Sequence, residues 1–354
     1  VTRKRTALIA GGVAAGAIAA GAVGRTVLRR RVDHDLGAQM WDLPPDVLGP
    51  VRSFDGTRLA VRAAGDPSAP ILLFVHGFSL DMTTWREQWI DLSVDHRCVL
   101  MDQRGHGSSE QPADGDLSIR SMGRDIAAVV EAVAPDRRVV IVGHSMGAIA
   151  TLAMAEVRPD LVATSVAGLV LVGTSASELV RGAMGSITDL VRPRLGSLRS
   201  AAERVDRLRK ALLASPTDLR GAVVRLTQFG PDAPRHVVDH VVHLAERASS
   251  EVWTDGLAGL LEIDLRHVLP RIRVPALVVV GEHDRVTPPS SGVELAAGLP
   301  DGRFVLLEGA GHIAMLERPV ELDREIRTFA RSVLAAGHAP RPRRTSTKGG
   351  KRAR

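Results

Sequence analysis

The chain has 354 residues, enough for one large domain or two small ones, and its 45% hydrophobic content suits a substantial core. The formal net charge is +6, but seven Lys/Arg lie in residues 1–35 and seven more in residues 339–354, so the body between them carries 32 basic and 38 acidic residues and offers no basic folded surface for nucleic acid. The single cysteine, Cys98, excludes an intramolecular disulfide, no Cys/His spacing reads as a zinc site, and no glycine-rich phosphate loop sits at a strand-to-helix turn.

Thr6 to Gly24 is an uncharged run of 19 residues, almost all Ala, Gly and Val, between Arg5 and Arg25. As a helix it would reach about 28 Å, near the hydrocarbon thickness of a bilayer. Residues 1–35 are read first as a single membrane anchor. A cleaved secretory signal, with Ala20-Gly21-Ala22 as its cleavage site, and a weakly ordered soluble end stay open as alternatives. Basic residues on both flanks give no firm orientation, so the side of the membrane stays undecided.

Strands are predicted at Leu59–Arg62, Ile71–Val75, Cys98–Met101, Val139–Val142, Gly168–Val172, Ala276–Val280 and Arg303–Leu307. Helical runs at Ile119–Ala134, Ala148–Val157, Val293–Leu299 and Pro319–Ala335 alternate with them. That alternation predicts an α/β fold, a mostly parallel sheet flanked by helices, with an antiparallel edge before Ile71. The core is assigned to residues 36–174 and 266–338. About one hundred residues separate Val172 from Ala276, far more than a loop needs. Helical patterns at Leu198–Leu213, Pro216–Leu226 and Arg235–Ala248 mark residues 175–265 as an inserted helical cap. Within it Met184, Ile187, Leu190, Phe229 and Trp253 are either pocket wall or the cap's own core, and the same choice stands for Trp85 and Trp89. From Ala339 onward the tail has no large apolar residue and is expected to be disordered.

Three segments carry chemistry. Gly143-His144-Ser145-Met146-Gly147 follows the apolar run Val139–Val142 and precedes helix formers. Such a strand-turn-helix lifts a serine hydroxyl above the sheet edge. Leu277–Val280 leads through Gly281-Glu282-His283 to Asp284, and Phe304–Leu307 leads through Glu308-Gly309-Ala310-Gly311 to His312. With His76-Gly77-Phe78 and Asp102-Gln103-Arg104-Gly105-His106-Gly107, these segments make residues 48–335 resemble the α/β-hydrolase superfamily, in its esterase and lipase-like branch. The resemblance implies the α/β-hydrolase fold and a serine hydrolase that needs no cofactor and no metal.

Serine is a weak nucleophile and needs a base, and the base needs an orienting acid. Ser145, His312 and Asp284 are the candidates, in the chain order of hydrolases built on an open sheet. Glu282 is a minor rival acid, and some family members place the acid after the preceding strand, where this chain has Ser175 and Glu178; Asp102 and His144 are read as structural, His144 pointing away from the site. The developing oxyanion needs backbone donors: the N–H of Met146, after the serine, and, as the resemblance implies, the N–H of Phe78. The expected substrate is a small carboxylic ester, lipophilic and acylglycerol-like. A cofactor-free perhydrolase, a carbon–carbon bond hydrolase on the same fold and a non-catalytic binding module remain as rivals.

Overall fold

Seven strands, nearly all apolar, build the central sheet. The computed structural model describes residues 41, 43, 48–177, 198–213 and 217–336. A short antiparallel pair, β1 (Val51–Arg52) and β2 (Arg58–Leu59), precedes the sheet. The sheet itself contains β3 (Val61–Ala64), β4 (Ile71–Val75), β5 (Arg97–Met101), β6 (Val139–His144), β7 (Val166–Val172), β8 (Ala276–Gly281) and β9 (Gly302–Leu307), in the order β3-β5-β4-β6-β7-β8-β9. β3 runs antiparallel to β5 at one edge and every other pairing is parallel.

The strands read as unbroken Val/Ile/Leu runs because both faces are covered. Every residue of β4, β6, β7 and β8 is buried. Around the sheet lie α1 (Arg86–Leu92), α2 (Ile119–Val133), α3 (Met146–Val157), α4 (Pro159–Ser165), α9 (Pro289–Gly298), α10 (Ala314–Glu317) and α11 (Pro319–Ala336). Two apolar clusters, one per face, fill the space between: Val139, Ile141 and Leu171 belong to one, and Val140, Val142 and Val172 to the other. Adjacent strand residues thus serve opposite layers, as the period-two pleat demands.

Between β7 and β8 the chain forms α5 (Leu198–Leu213), α6 (Thr217–Gln228), α7 (Arg235–Arg247), a π-helical turn (Val252–Gly256) and α8 (Leu257–Glu262). Residues 178–197 and 214–216 of the expected cap, the run 6–24 and the tail from residue 339 lie outside the described residues. No helix among the described residues is long and apolar enough to cross a membrane.

The turn from β6 into α3 depends on close backbone approach. A Cβ on Gly147 would lie 2.4 Å from the Val75 carbonyl oxygen, and one on Gly143 would lie 2.7 Å from the Ala148 amide nitrogen. A larger residue at Gly147 would push α3 off the end of β4, and one at Gly143 would collide with the first turn of α3.

Candidate active site

Ser145 joins β6 to α3 with φ 49° and ψ −116°. Positive φ is rare for a residue with a Cβ, and among the described residues only Ser79 shares it. The strained turn is held by backbone bonds: the Ser145 amide donates to Val172 O at 2.9 Å, and Thr174 Oγ1 donates to Ser145 O at 3.1 Å.

Asp284 follows β8 and His312 follows β9, and the two meet. His312 Nδ1 lies 2.8 Å from Asp284 Oδ2. That carboxylate oxygen also accepts from Thr287 Oγ1 at 2.7 Å, while Oδ1 accepts the amides of Val286 and Thr287, each at 2.8 Å. Burial raises the Asp284 pKa, but the facing His312 and the Thr287 hydrogen bonds outweigh it and hold the carboxyl below its usual 3.8. The Asp284 carboxyl is therefore an anion at ordinary pH, and as an acceptor it holds the His312 ring proton at Nδ1 and leaves Nε2 free.

The end of β7 joins this pair to the serine turn. Gly173 has φ 53°, and a Cβ there would sit 3.3 Å from Asp284 Oδ2 and 3.3 Å from His312 Nδ1. Its neighbours Val172 and Thr174 are the residues bonded to Ser145. All three candidates thus gather at the carboxyl ends of β6, β8 and β9, where ligands bind in open α/β sheets. Among the described residues the Ser145 hydroxyl makes no hydrogen bond to His312.

His144 does not point away from the site, as the sequence reading had it. Its ring centroid lies 4.8 Å from that of His312, and its Nε2–H donates to His312 O at 3.0 Å. The turn that throws Ser145 up turns its neighbour under the base. Burial, then the neighbouring His312, pushes the His144 pKa down to about 3, so it packs under His312 as a neutral ring.

The loop after β4 is set by buried polar groups. His76 Nε2 accepts the Gln103 amide at 3.0 Å, which leaves its Nδ1–H to donate to Gly77 O at 2.8 Å. Burial and then His106 hold the His76 pKa well below 6.5. Asp102 accepts the Met82 and Ser108 amides, each at 2.8 Å, so its structural reading stands. Phe78 and Met146 therefore lie on two segments in direct contact, since Gly147 packs against the carbonyls of Val75 and His76. Of the rival acid positions, Glu282 accepts the Gly309 amide, Ser175 carries a hydroxyl that donates to Ser177 O, and Glu178 lies outside the described residues.

Three cap contacts reach the site. The Phe78 ring meets Trp253 edge-on at 4.9 Å. Thr83 Oγ1 bonds His240 Nε2 at 2.8 Å, and the His312 amide donates to Gln228 O at 2.7 Å. Glu317 strengthens the last junction, because its carboxylate accepts the Gly230 amide at 2.7 Å and the Gly311 amide at 3.0 Å. Trp85 and Phe229, by contrast, are 0% and 1% exposed and serve as packing. Sequence reasoning missed Thr287 and Glu317; an acid closing the apolar run Ile313–Leu316 was the only hint of the second.

The alpha/beta hydrolase family matches residues 72–325. The chain belongs to this family. As an alpha/beta hydrolase it is 27% identical over 294 residues to a non-heme chloroperoxidase of Streptomyces lividans, covering 80% of this chain and 100% of that protein. A thermophilic esterase from Thermogutta terrifontis superposes with TM-score 0.66 at 25% identity, covering 82% of this chain and 99% of the other. The enol-lactonase of Burkholderia xenovorans LB400 superposes with TM-score 0.63 at 26% identity, over 78% and 97%.

Proposed function

We propose that this alpha/beta hydrolase cleaves carboxylic esters through an acyl-enzyme on Ser145. The observation that carries the reading is the buried Asp284–His312 pair beside a serine held at φ 49°. In the first step Ser145 Oγ attacks the ester carbonyl while His312 Nε2 takes its proton. The carbonyl oxygen gains negative charge, met by the N–H groups of Phe78 and Met146; Met146 is the first residue of α3, whose N-terminal dipole adds to the effect. The tetrahedral adduct collapses, the carbon–alkoxy bond breaks, and the imidazolium hands its proton to the departing alcohol. Water then repeats the sequence at the acyl-serine, giving the free acid and restoring the hydroxyl.

The half-buried rings of Phe78 and Trp253 support an ester with an apolar acyl group. A series of p-nitrophenyl esters of rising chain length tests this: preference for octanoate over acetate is expected, and the reverse order rejects a lipophilic substrate. Reaction with a fluorophosphonate tests the core assignment. Covalent label at Ser145 is expected, and failure of a folded protein to label overturns it.

The likeness to a chloroperoxidase favours one second reading. Hydrogen peroxide in place of water at the same acyl-serine would release a peracid and the free serine. A higher rate of monochlorodimedone bromination in acetate, bromide and peroxide, where the peracid oxidises bromide to the brominating species, than of ester hydrolysis would select it.

A further inference from the structure

One aromatic contact reaches the site from outside the family match. Trp41 precedes residue 72 by a long stretch of chain, yet its indole lies flat on the imidazole of His240 in α7. The ring centroids are 3.6 Å apart and the planes differ by 6°. His236, one turn earlier on α7, lies 6.4 Å from the same indole. Trp41 therefore covers the helix face that presents both histidines.

His240 passes this contact inward. Its Nε2 lies 2.8 Å from Thr83 Oγ1, and the Thr83 hydroxyl proton is already directed to the Asp81 carboxylate. A hydroxyl has one proton, so Thr83 accepts and His240 Nε2–H donates. Burial, then His243, pushes the His240 pKa down to about 3, so the ring keeps this neutral form at ordinary pH. Asp81 also accepts the Thr83 amide at 2.9 Å and caps the short helix Met82–Trp85. That helix begins four residues after Phe78, and the Leu80 amide closes the intervening turn on Gly77 O at 3.4 Å.

We propose that Trp41 is a positioning residue of the active site: its indole clamps α7 onto the loop that carries the Phe78 N–H, and so holds an oxyanion donor in place. This rests on the ester-hydrolase reading for its catalytic consequence, though not for the clamp. The stack supplies broad flat contact, and the His240–Thr83 bond supplies direction. Removal of the indole leaves His240 to shift, and the loop loses one of its anchors on the cap side.

The test compares Trp41→Ala, Trp41→Phe, His240→Gln and His240→Phe in the full chain. Misplaced catalytic groups lose on the order of tenfold to a hundredfold in rate. Trp41→Ala is expected to lower kcat on a short p-nitrophenyl ester by about tenfold, with a smaller change in KM. Trp41→Phe keeps a stacking ring and is expected to recover most of the loss. His240→Gln keeps a donor for Thr83 and His240→Phe keeps the stack, and both are expected to fall between wild type and Trp41→Ala. Amide hydrogen exchange over residues 79–85, read without any substrate, is expected to speed up selectively in Trp41→Ala. Unchanged local exchange, or exchange raised evenly across the chain, overturns the clamp. Faster local exchange with unchanged kcat overturns its positioning role. Should the wild type hydrolyse no ester, the exchange comparison still decides the clamp, and the ester-hydrolase reading alone fails.

Discussion

His312 Nδ1 and Asp284 Oδ2 lie 2.8 Å apart, yet 28 residues of chain separate them and each closes a different parallel strand. Their encounter depends on the pairing of β8 with β9, which runs in register from Ala276–Gly302 to Gly281–Leu307. A slip of one residue would turn each side chain to the other face.

Loss of any member of this pair, or of the serine, should be severe and non-additive. Asp284→Asn is expected to lower kcat about 10³- to 10⁴-fold, and Ser145→Ala at least as far, with the double variant no worse than the more damaged single one. Thr287→Val, which removes one hydroxyl from the carboxylate, should cost only a few-fold. Steady-state ester hydrolysis reads all four. Because the Asp284 carboxyl is held below 3.8, it stays ionised as the pH falls from 7 to 5 and contributes no acid limb there. Its folded-state pKa is depressed, so its contribution to stability is present above 3.8 and is lost as the pH drops through the folded value.

Glu317→Ala should damage both stability and rate. It strips acceptors from the buried amides of Gly230 and Gly311, at a cost of about 1–3 kcal/mol for each unsatisfied group. Gly311 precedes His312, so on the proposed mechanism kcat should fall together with Tm. Limited proteolysis should also cut residues 225–235 sooner in the variant. A fall in Tm with kcat and the cleavage pattern unchanged would refute the coupling of cap and base.

Asp323 is buried beside Gln88, and burial, only partly offset by the 3.0 Å bond from Gln88, lifts its pKa to about 7. The same carboxyl titrates near 3.8 in the unfolded chain. Between these values the folded state holds the proton and the unfolded state does not, so stability falls as pH rises from about 4 through about 7. Asp323→Asn, neutral at every pH, should raise Tm relative to wild type at pH 8 by an amount worth up to about 4 kcal/mol, and by less at pH 5. Equal effects at both pH values would reject the assignment.

Arg104 is buried in full and paired with Asp125 through bonds of 2.6 and 2.7 Å, with Asp55 at 3.0 Å. Asp125→Ala leaves a guanidinium without its main partner and should cost about 3–5 kcal/mol in chemical denaturation. Residual activity at low temperature should stay within a few-fold of wild type, since neither residue touches the serine turn.

Much of this was legible in the residues. Parallel strands covered on both faces announce themselves as runs such as Val139–Val142 and Leu277–Val280, and two of the helices between them stop just before Pro135 and Pro159. The Ser145, Asp284 and His312 segments could be found because each follows such a run. Short α4 escaped notice because Arg158, at φ −136° and ψ 58°, breaks the helical pattern one residue before it begins. The contacts between cap and core were not legible at all. Glu317 and Gly230 are 87 positions apart, and a hydrogen bond to a backbone amide leaves no mark on the identity of the residue that donates it. Trp41 on His240 is likewise a matter of packing alone, with no spacing rule to announce it.

The turn at Ser145 has a consequence for durability. Its backbone sits where glycine is at ease and a β-carbon is crowded, a penalty of about 1–3 kcal/mol drawn from the native state. Ser145→Gly should therefore melt at a higher temperature than the parent while hydrolysing nothing. The polypeptide tolerates a built-in weakness for the sake of its alcohol, and heat resistance gained at that one position would be bought with sterility.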